Sequence, residues 1–238
     1  MRPEACAAAG EALQVETEAR TATPDATVRE GEMEGALHVV GEVGYRAASV
    51  RAVLEYSGSH RRQFYEHFDS LEDCFGQAYE AWIERLGVSL LEAAIGADGW
   101  RESVQASIVR LFEFVVERPA IARALFLEVQ VAGGAALAKH EEATERLGAA
   151  LDSVRSEIAP AEQPPEAAAF FVLGGIEAAI CDVLAEGNPN RVWDALPELM
   201  HLTAGSYLGN EAAVEAFEEA RQLLSQEPGL RAGNGEGR

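Results

Sequence analysis

Gly44-Tyr45-Arg46-Ala47-Ala48-Ser49-Val50-Arg51-Ala52-Val53-Leu54-Glu55-Tyr56-Ser57-Gly58-Ser59-His60-Arg61-Arg62-Gln63-Phe64-Tyr65-Glu66-His67-Phe68 is the stretch on which the reading of this chain turns. Ser49 has the side chain and position of an N-cap for a short helix that carries Val50, Val53 and Leu54 on one side. Ser57-Gly58-Ser59 interrupts that helix, and a second one follows from His60 to Phe68. Two short helices joined by a three-residue turn with a central glycine form the pattern of a helix-turn-helix. On a wheel of about 100° per residue with Phe64 at zero, Phe68 falls near 40°, Arg62 near 160°, Glu66 near 200° and Gln63 near −100°. The helix is expected to pack on its phenylalanines and to present Arg62, Gln63 and Glu66 outward, with Arg61 and Tyr65 on the flanks. Arginine can bond guanine bidentately and glutamine adenine, whereas serine, tyrosine and histidine suit phosphate oxygens.

The surrounding sequence is helical in pattern. Met33, Ala36, Leu37 and Val40 repeat at helical spacing and stop at Gly44, which is placed as a C-terminal cap. Ser70 followed by Asp73 is a variant capping box opening a long helix with Leu71, Phe75, Ala78, Tyr79, Trp82 and Leu86 on one stripe. Asp98 is expected to cap a helix bearing Trp100 to Val115 that ends before Pro119. Further helices are expected from Pro119 to the Gly133-Gly134 break, over Glu141 to Ile158, Ala167 to Leu184, Arg191 to Tyr207 and Asn210 to Ser225. There is no strand-like alternation, hairpin signal or internal repeat, so the fold class is all-α. The expected organisation is a tail over 1–30, a helix-turn-helix module over 31–80, a larger helical domain over 81–226 and a second tail over 227–238.

The chain has 238 residues, of which 48% are hydrophobic and 25% charged, enough for a real core. The longest uncharged apolar run, Ala167 to Ile176, stops at Glu177, so no membrane span is expected. The start of the chain has no apolar signal region, and Cys6, Cys74 and Cys181 lack disulfide or zinc spacing, which points to the cytoplasm. The net charge of −21 has the wrong sign for a protein coated in nucleic-acid contacts, but its distribution is uneven. Between Gly44 and Phe68 the four arginines Arg46, Arg51, Arg61 and Arg62 outnumber Glu55 and Glu66, a basic island in an acidic protein.

Catalysis finds little support. Only Glu198-x-x-His201 matches half of the paired E-x-x-H motif of a helical di-iron site, and no HExxH, GxSxG or phosphate-binding glycine loop occurs. His140, between Lys139 and Glu141-Glu142, reads as part of a solvated face. Cys74 and Cys181 fall on apolar stripes and read as core thiols.

The stretch resembles the TetR-type (TetR/AcrR) bacterial transcriptional regulators. The resemblance rests on Gly44-Tyr45, Ser49-Val50-Arg51, Ser57-Gly58, Arg61-Arg62-x-Phe64-Tyr65-Glu66-His67-Phe68 and Ser70-x-Glu72-Asp73-Cys74-Phe75. It is strong over about residues 33–82 and looser from 100 to 225. It implies a homodimeric repressor that binds palindromic operator DNA and releases it when a small-molecule inducer enters the larger domain; with no catalytic motif in the sequence, neither an enzyme nor a cofactor is expected. By position, Arg62 and Gln63 would face bases, Ser49, Tyr65 and His67 would hold phosphates, and Arg61 would flank them. Trp82, Phe112 and Phe126 lie on helices corresponding to the family's inducer pocket, which points to an apolar or aromatic inducer. Residues 83–238 carry 25 acidic against 12 basic side chains, which favours a neutral or cationic inducer over an anionic one.

Four departures qualify the match. Ala48 and His60 remove hydroxyls, Ser59 stands for a buried valine of the turn, and Leu71 stands where a phosphate-binding lysine is usual. Leu71 either leaves a gap in the phosphate contacts that lysine would restore or has joined the core beside Phe75. The alternative function is accordingly a helical ligand-binding or partner protein of the same fold that has lost most operator binding. The dimer is expected to form through Ala167 to Leu184 and the helix starting near Arg191, because Phe170, Phe171, Leu173, Ile176, Ile180 and Leu184 cover more of that helix than one core stripe.

Overall fold

A computed structural model describes residues 24–160, 163–227 and 230. The expected tail at 1–23, Cys6 within it, and 231–238 lie outside the described residues. Over residues 24–30, where a tail is expected, the chain is already helical: α1 runs Pro24–Val43 and buries Met33, Ala36, Leu37, Val39 and Val40. The early start is due to partners that lie far away in sequence, since Arg29 bonds Gln77 and Arg85 reaches Glu30 at 2.9 Å.

α2 (Val50–Ser57) is capped by Ser49, whose Oγ accepts the Ala52 N–H at 3.3 Å. It ends on Gly58 at φ +69°, a left-handed conformation that a side chain would strain. α3 (Arg61–His67) buries Phe64 completely and Phe68 packs beside it just past the helix end, as the wheel predicts. His60 occupies the cap position without a side-chain cap bond. Ser59 Oγ lies 3.0 Å from Ser57 Oγ, so the hydroxyl that replaces the usual turn valine has a polar partner.

α4 (Leu71–Ile95) starts at the expected box, with Ser70 Oγ accepting from Asp73 N–H at 3.0 Å and Asp73 Oδ2 accepting from Asp69 N–H. The expected division at residues 80 and 81 falls inside this uninterrupted helix. α5 (Trp100–Glu117) is preceded by Gly99 rather than capped by Asp98. The segment after Pro119 is helical to the double glycine but changes pitch: α6 (Pro119–Ala122), a π-helical segment (Arg123–Glu128) and α7 (Val129–Ala132). α8 (Gly134–Leu151) begins earlier than expected and closes with a 3₁₀ turn (Asp152–Glu157). α9 (Ala168–Ala185), a 3₁₀ turn (Pro189–Ala195), α10 (Leu196–Leu208) and α11 (Asn210–Gln226) complete the described chain.

One continuous apolar cluster runs from Met33 in α1 to Leu224 in α11. α9, with a mean hydropathy of 1.9 over 18 residues, is by length and composition sufficient to cross a membrane. Within the fold its Val172, Ile176, Ile180 and Leu184 are buried against neighbouring helices.

Candidate functional site

The outer surface of α2 and α3 carries the basic island. The Arg62 side chain is 90% exposed and its Nε donates to Glu66 Oε1 at 2.9 Å. One helix earlier, Arg51 pairs with Glu55 in the same i,i+4 geometry. Such exposed pairs are weak, so both guanidiniums can exchange a glutamate for a phosphate or a base edge. The Arg61 guanidinium lies 5.7 Å from the centre of the exposed Tyr65 ring, and Gln63 is half-buried beside Phe64. Ser49 is exposed, and its hydroxyl, which accepts at the cap, keeps its proton to donate. Leu71 is half-buried against the core, the second of the two positions foreseen for it.

His67 departs from the expected phosphate role. Its side chain is 8% exposed and both ring nitrogens are taken: Nδ1 lies 2.6 Å from Glu32 Oε2 and Nε2 3.1 Å from Asp25 Oδ1. The bond to Glu32 raises the pKa of the imidazole above its ordinary value, against the opposing effect of burial, and Asp25 adds to the rise. Glu32 is fully buried, and its Oε1 has no hydrogen-bond partner among the described residues. A ring held between two acids presents no donor to DNA. The wheel contains a signal, because position 67 lies only about 60° from Phe64, on the inward side. The partners carry none, since they sit within and just beyond the segment expected to be a tail.

A cavity of about 720 Å³ opens among α4, α5, α8, α9 and the π-helical segment. Its walls are mainly apolar, including Leu90, Trp100, Ile108, Phe126, Leu151 and Ile176. Of the three aromatic residues expected to line it, only Phe126 does. Trp82 lies elsewhere, with the Arg118 and Arg85 guanidiniums 5.3 and 5.9 Å from its ring centre. Phe112 is fully buried edge-on to Trp193, with ring centres 5.6 Å apart, and belongs to the core. The aromatic that sequence reasoning misses is Trp100, whose Nε1–H donates to the Leu151 carbonyl at 3.0 Å across the cavity wall.

His140 also needs correction. It is 8% exposed and lines the cavity, with Nδ1 2.9 Å from Tyr79 Oη and Nε2 3.2 Å from Glu177 Oε1. Lys139 is turned the other way, onto Glu80 at 2.8 Å, because adjacent helical residues point about 100° apart. Burial pushes the Cys74 thiol up to about 12 and the Cys181 thiol up to about 11, so both stay protonated and unreactive near neutral pH. His201 Nδ1–H donates to the Ala213 carbonyl at 3.1 Å and the ring stands edge-on to Phe217, while Glu198 is exposed.

No protein-family model and no curated sequence matches the chain. Solved structures do. The fatty acid degradation regulator FadR from Bacillus halodurans superposes at a TM-score of 0.65, with 16% identity over 74% of this chain and 97% of that one. The transcriptional regulator FadR from Bacillus subtilis, solved with stearoyl-CoA, gives 0.58 with 17% identity over 79% and 96%. A TetR family regulator from Marinobacter aquaeolei gives 0.55 with 18% identity over 83% and 95%. The chain has the TetR-family regulator fold.

Within this TetR fold the cavity and the helix-turn-helix meet at the π-helical segment. Phe126 faces the cavity, while Arg123 and Glu128 of the same segment hold the end of α1 and the turn that leads into α2. Arg123 Nε donates to the Gly41 carbonyl at 3.0 Å and its Nη1 to the Leu184 carbonyl at 2.7 Å, tying the end of α1 to the end of α9. Glu128 Oε2 accepts the Tyr45 backbone N–H at 2.9 Å, two residues past the end of α1. A shift of this segment would therefore be passed to the end of α1 and the start of the connection to α2.

Proposed function

We propose that the chain is a ligand-responsive transcriptional regulator that binds palindromic operator DNA as a homodimer, most simply as a repressor in the cytoplasm. The observation that carries this reading is the outward, basic surface of α3 joined through one core to a cavity of about 720 Å³. Residues 31–80 would form the DNA-binding part, with Arg62 and Gln63 reading bases and Ser49, Arg61 and Tyr65 positioning the module on phosphates. The B. subtilis FadR complex supports a cavity of this fold accepting an apolar chain. Leu71, packed on the core, and the pairing of Arg62 with Glu66 favour a second reading in which operator affinity is weak.

A mobility-shift assay on the intergenic DNA upstream of the protein's own reading frame, at low and moderate salt, separates the two readings. Arg62→Ala is expected to weaken the best operator by about 1–3 kcal/mol and to flatten preference at one base pair per half-site. Equal loss on operator and random DNA would assign Arg62 to phosphate instead.

The homodimer reading is supported by α9, which leaves Phe170 and Phe171 each 71% exposed on a face with Gly174 and Ala178, while α10 and α11 leave Leu202 and Val214 exposed. An apolar face of this kind calls for a partner, and the small residues let a second helix approach closely. Sedimentation at micromolar concentration should show a dimer, and Phe170→Glu combined with Phe171→Glu should convert it to a folded monomer. A wild-type monomer would remove the basis for reading a palindrome.

A further inference from the structure

We propose that the cavity selects an apolar ligand bearing a cationic nitrogen, received by Glu177. The inference rests on the reading of this cavity as the ligand site. Its lining includes two carboxyl side chains, Glu177 within and Glu157 at the exposed rim, and no lysine or arginine. Two cations on neighbouring stretches are committed elsewhere, and Arg146, between the lining Thr144 and Leu147, is exposed. Arg155 bonds Asp152 and the Pro164 and Pro165 carbonyls, and Arg110 bonds Ser89 and Glu113.

Three of the lining hydroxyls are likewise engaged, and the fourth, Ser153, is exposed at the rim. Ser103 donates to the Ala94 carbonyl, Ser107 reaches the Leu90 carbonyl and Thr144 donates to the His140 carbonyl. The polar focus left inside is therefore the pair His140 and Glu177, with Tyr79 backing His140 from the core. Glu177 Oε1 faces His140 Nε2 at 3.2 Å, and no hydrogen bond among the described residues engages its Oε2. In a largely apolar enclosure the attraction between a carboxylate and an ammonium is much stronger than in water, and repulsion of an anionic head is strengthened equally. A ligand amine can also donate N–H to Oε2, which a carboxylate, sulfate or phosphate head cannot. The apolar walls would take the rest of the molecule, and their area favours a chain or ring system over a small polar amine.

Matched probes test this: decylammonium, decanol and decanoate share one tail and differ in head charge. Trp100 in the cavity wall gives an indole fluorescence readout below the micelle concentration of each probe. The expected result is decylammonium binding at least tenfold tighter than decanoate, with decanol between them. Glu177→Gln should remove most of that preference, weakening decylammonium far more than decanol, and Glu157→Gln should reduce it less.

Decanoate binding as tightly as decylammonium, or a preference that survives intact in Glu177→Gln, would overturn the proposal. Should Glu177→Gln fail to fold by circular dichroism, the order of the three probes on the wild-type protein still decides. Failure of all three probes to bind would remove the cavity as a ligand site along with this inference. Selective binding of decylammonium that leaves the operator complex unchanged would keep the ligand class and count against the regulator reading alone.

Discussion

His67→Ala is expected to lower stability by about 3–5 kcal/mol, the cost of breaking a buried ionic pair by removing one member. Glu32 is fully buried, and its Oε1 has no hydrogen-bond partner among the described residues, so the bond from His67 to Oε2 is the side-chain contact that compensates it. Without the imidazole, the carboxyl must stay buried with neither oxygen bonded or open a path for water into the module. Asp25, 78% exposed, adds little of the effect. A urea midpoint for His67→Ala equal to that of the wild type would show that Glu32 finds another partner.

The same pair makes a pH prediction. The folded-state pKa of His67 lies above its ordinary value of 6.5, so the native state binds the proton more tightly than the unfolded chain does. The stabilisation is complete below the unfolded value and is lost as pH rises through the raised folded one. Wild-type stability should therefore fall across that alkaline-going window, and the loss should be absent in His67→Ala. Urea midpoints at about pH 6 and about pH 9 provide the comparison.

Gly41→Ala is expected to be damaging by a different route, at about 3 kcal/mol or more. A Cβ built at Gly41 would lie 1.8 Å from the Ala120 carbonyl oxygen and 2.5 Å from its carbon. The obstacle is backbone, so no rotamer change relieves it and α1 must move away from α6. The gain of up to about 1 kcal/mol in helix propensity from replacing glycine is too small to offset this. For a chain of this length the melting temperature should drop by about 6–12 °C. Because Arg123 holds the Gly41 carbonyl, the shift should also disturb the operator binding proposed for the chain. Gly76→Ala is the control: nothing lies within 4 Å of its added Cβ, so the melting temperature should hold or rise slightly. Equal effects of the two substitutions would mean that the close approach of α1 and α6 is not maintained in solution.

Local signals carry the helix-turn-helix almost unaided. Ser49 and Ser70 cap the helices they precede, Gly58 takes the left-handed turn, and Phe64 and Phe68 pack together, all through contacts within about one helical turn. Interactions of that range depend on residue type and spacing, which the order of amino acids states directly. The outward placement of Arg62 and Glu66 is a consequence of the same periodicity.

The order of residues by itself therefore determined the all-α class, the helix-turn-helix and the side of α3 that faces solvent. Tertiary structure decided which inward groups meet. His67 finds Glu32 and Asp25 at separations of 35 and 42 residues, and His140 finds Tyr79 across 61. Helical period says that a side chain points inward, but it does not say whether the space there is filled, as at Phe112, or open, as at Phe126 and Trp100. A cavity is the volume that packed helices fail to fill, and a close contact such as Gly41 on Ala120 is the place where they touch. Both are set by the relative positions of helices distant in sequence, which no window along the chain contains.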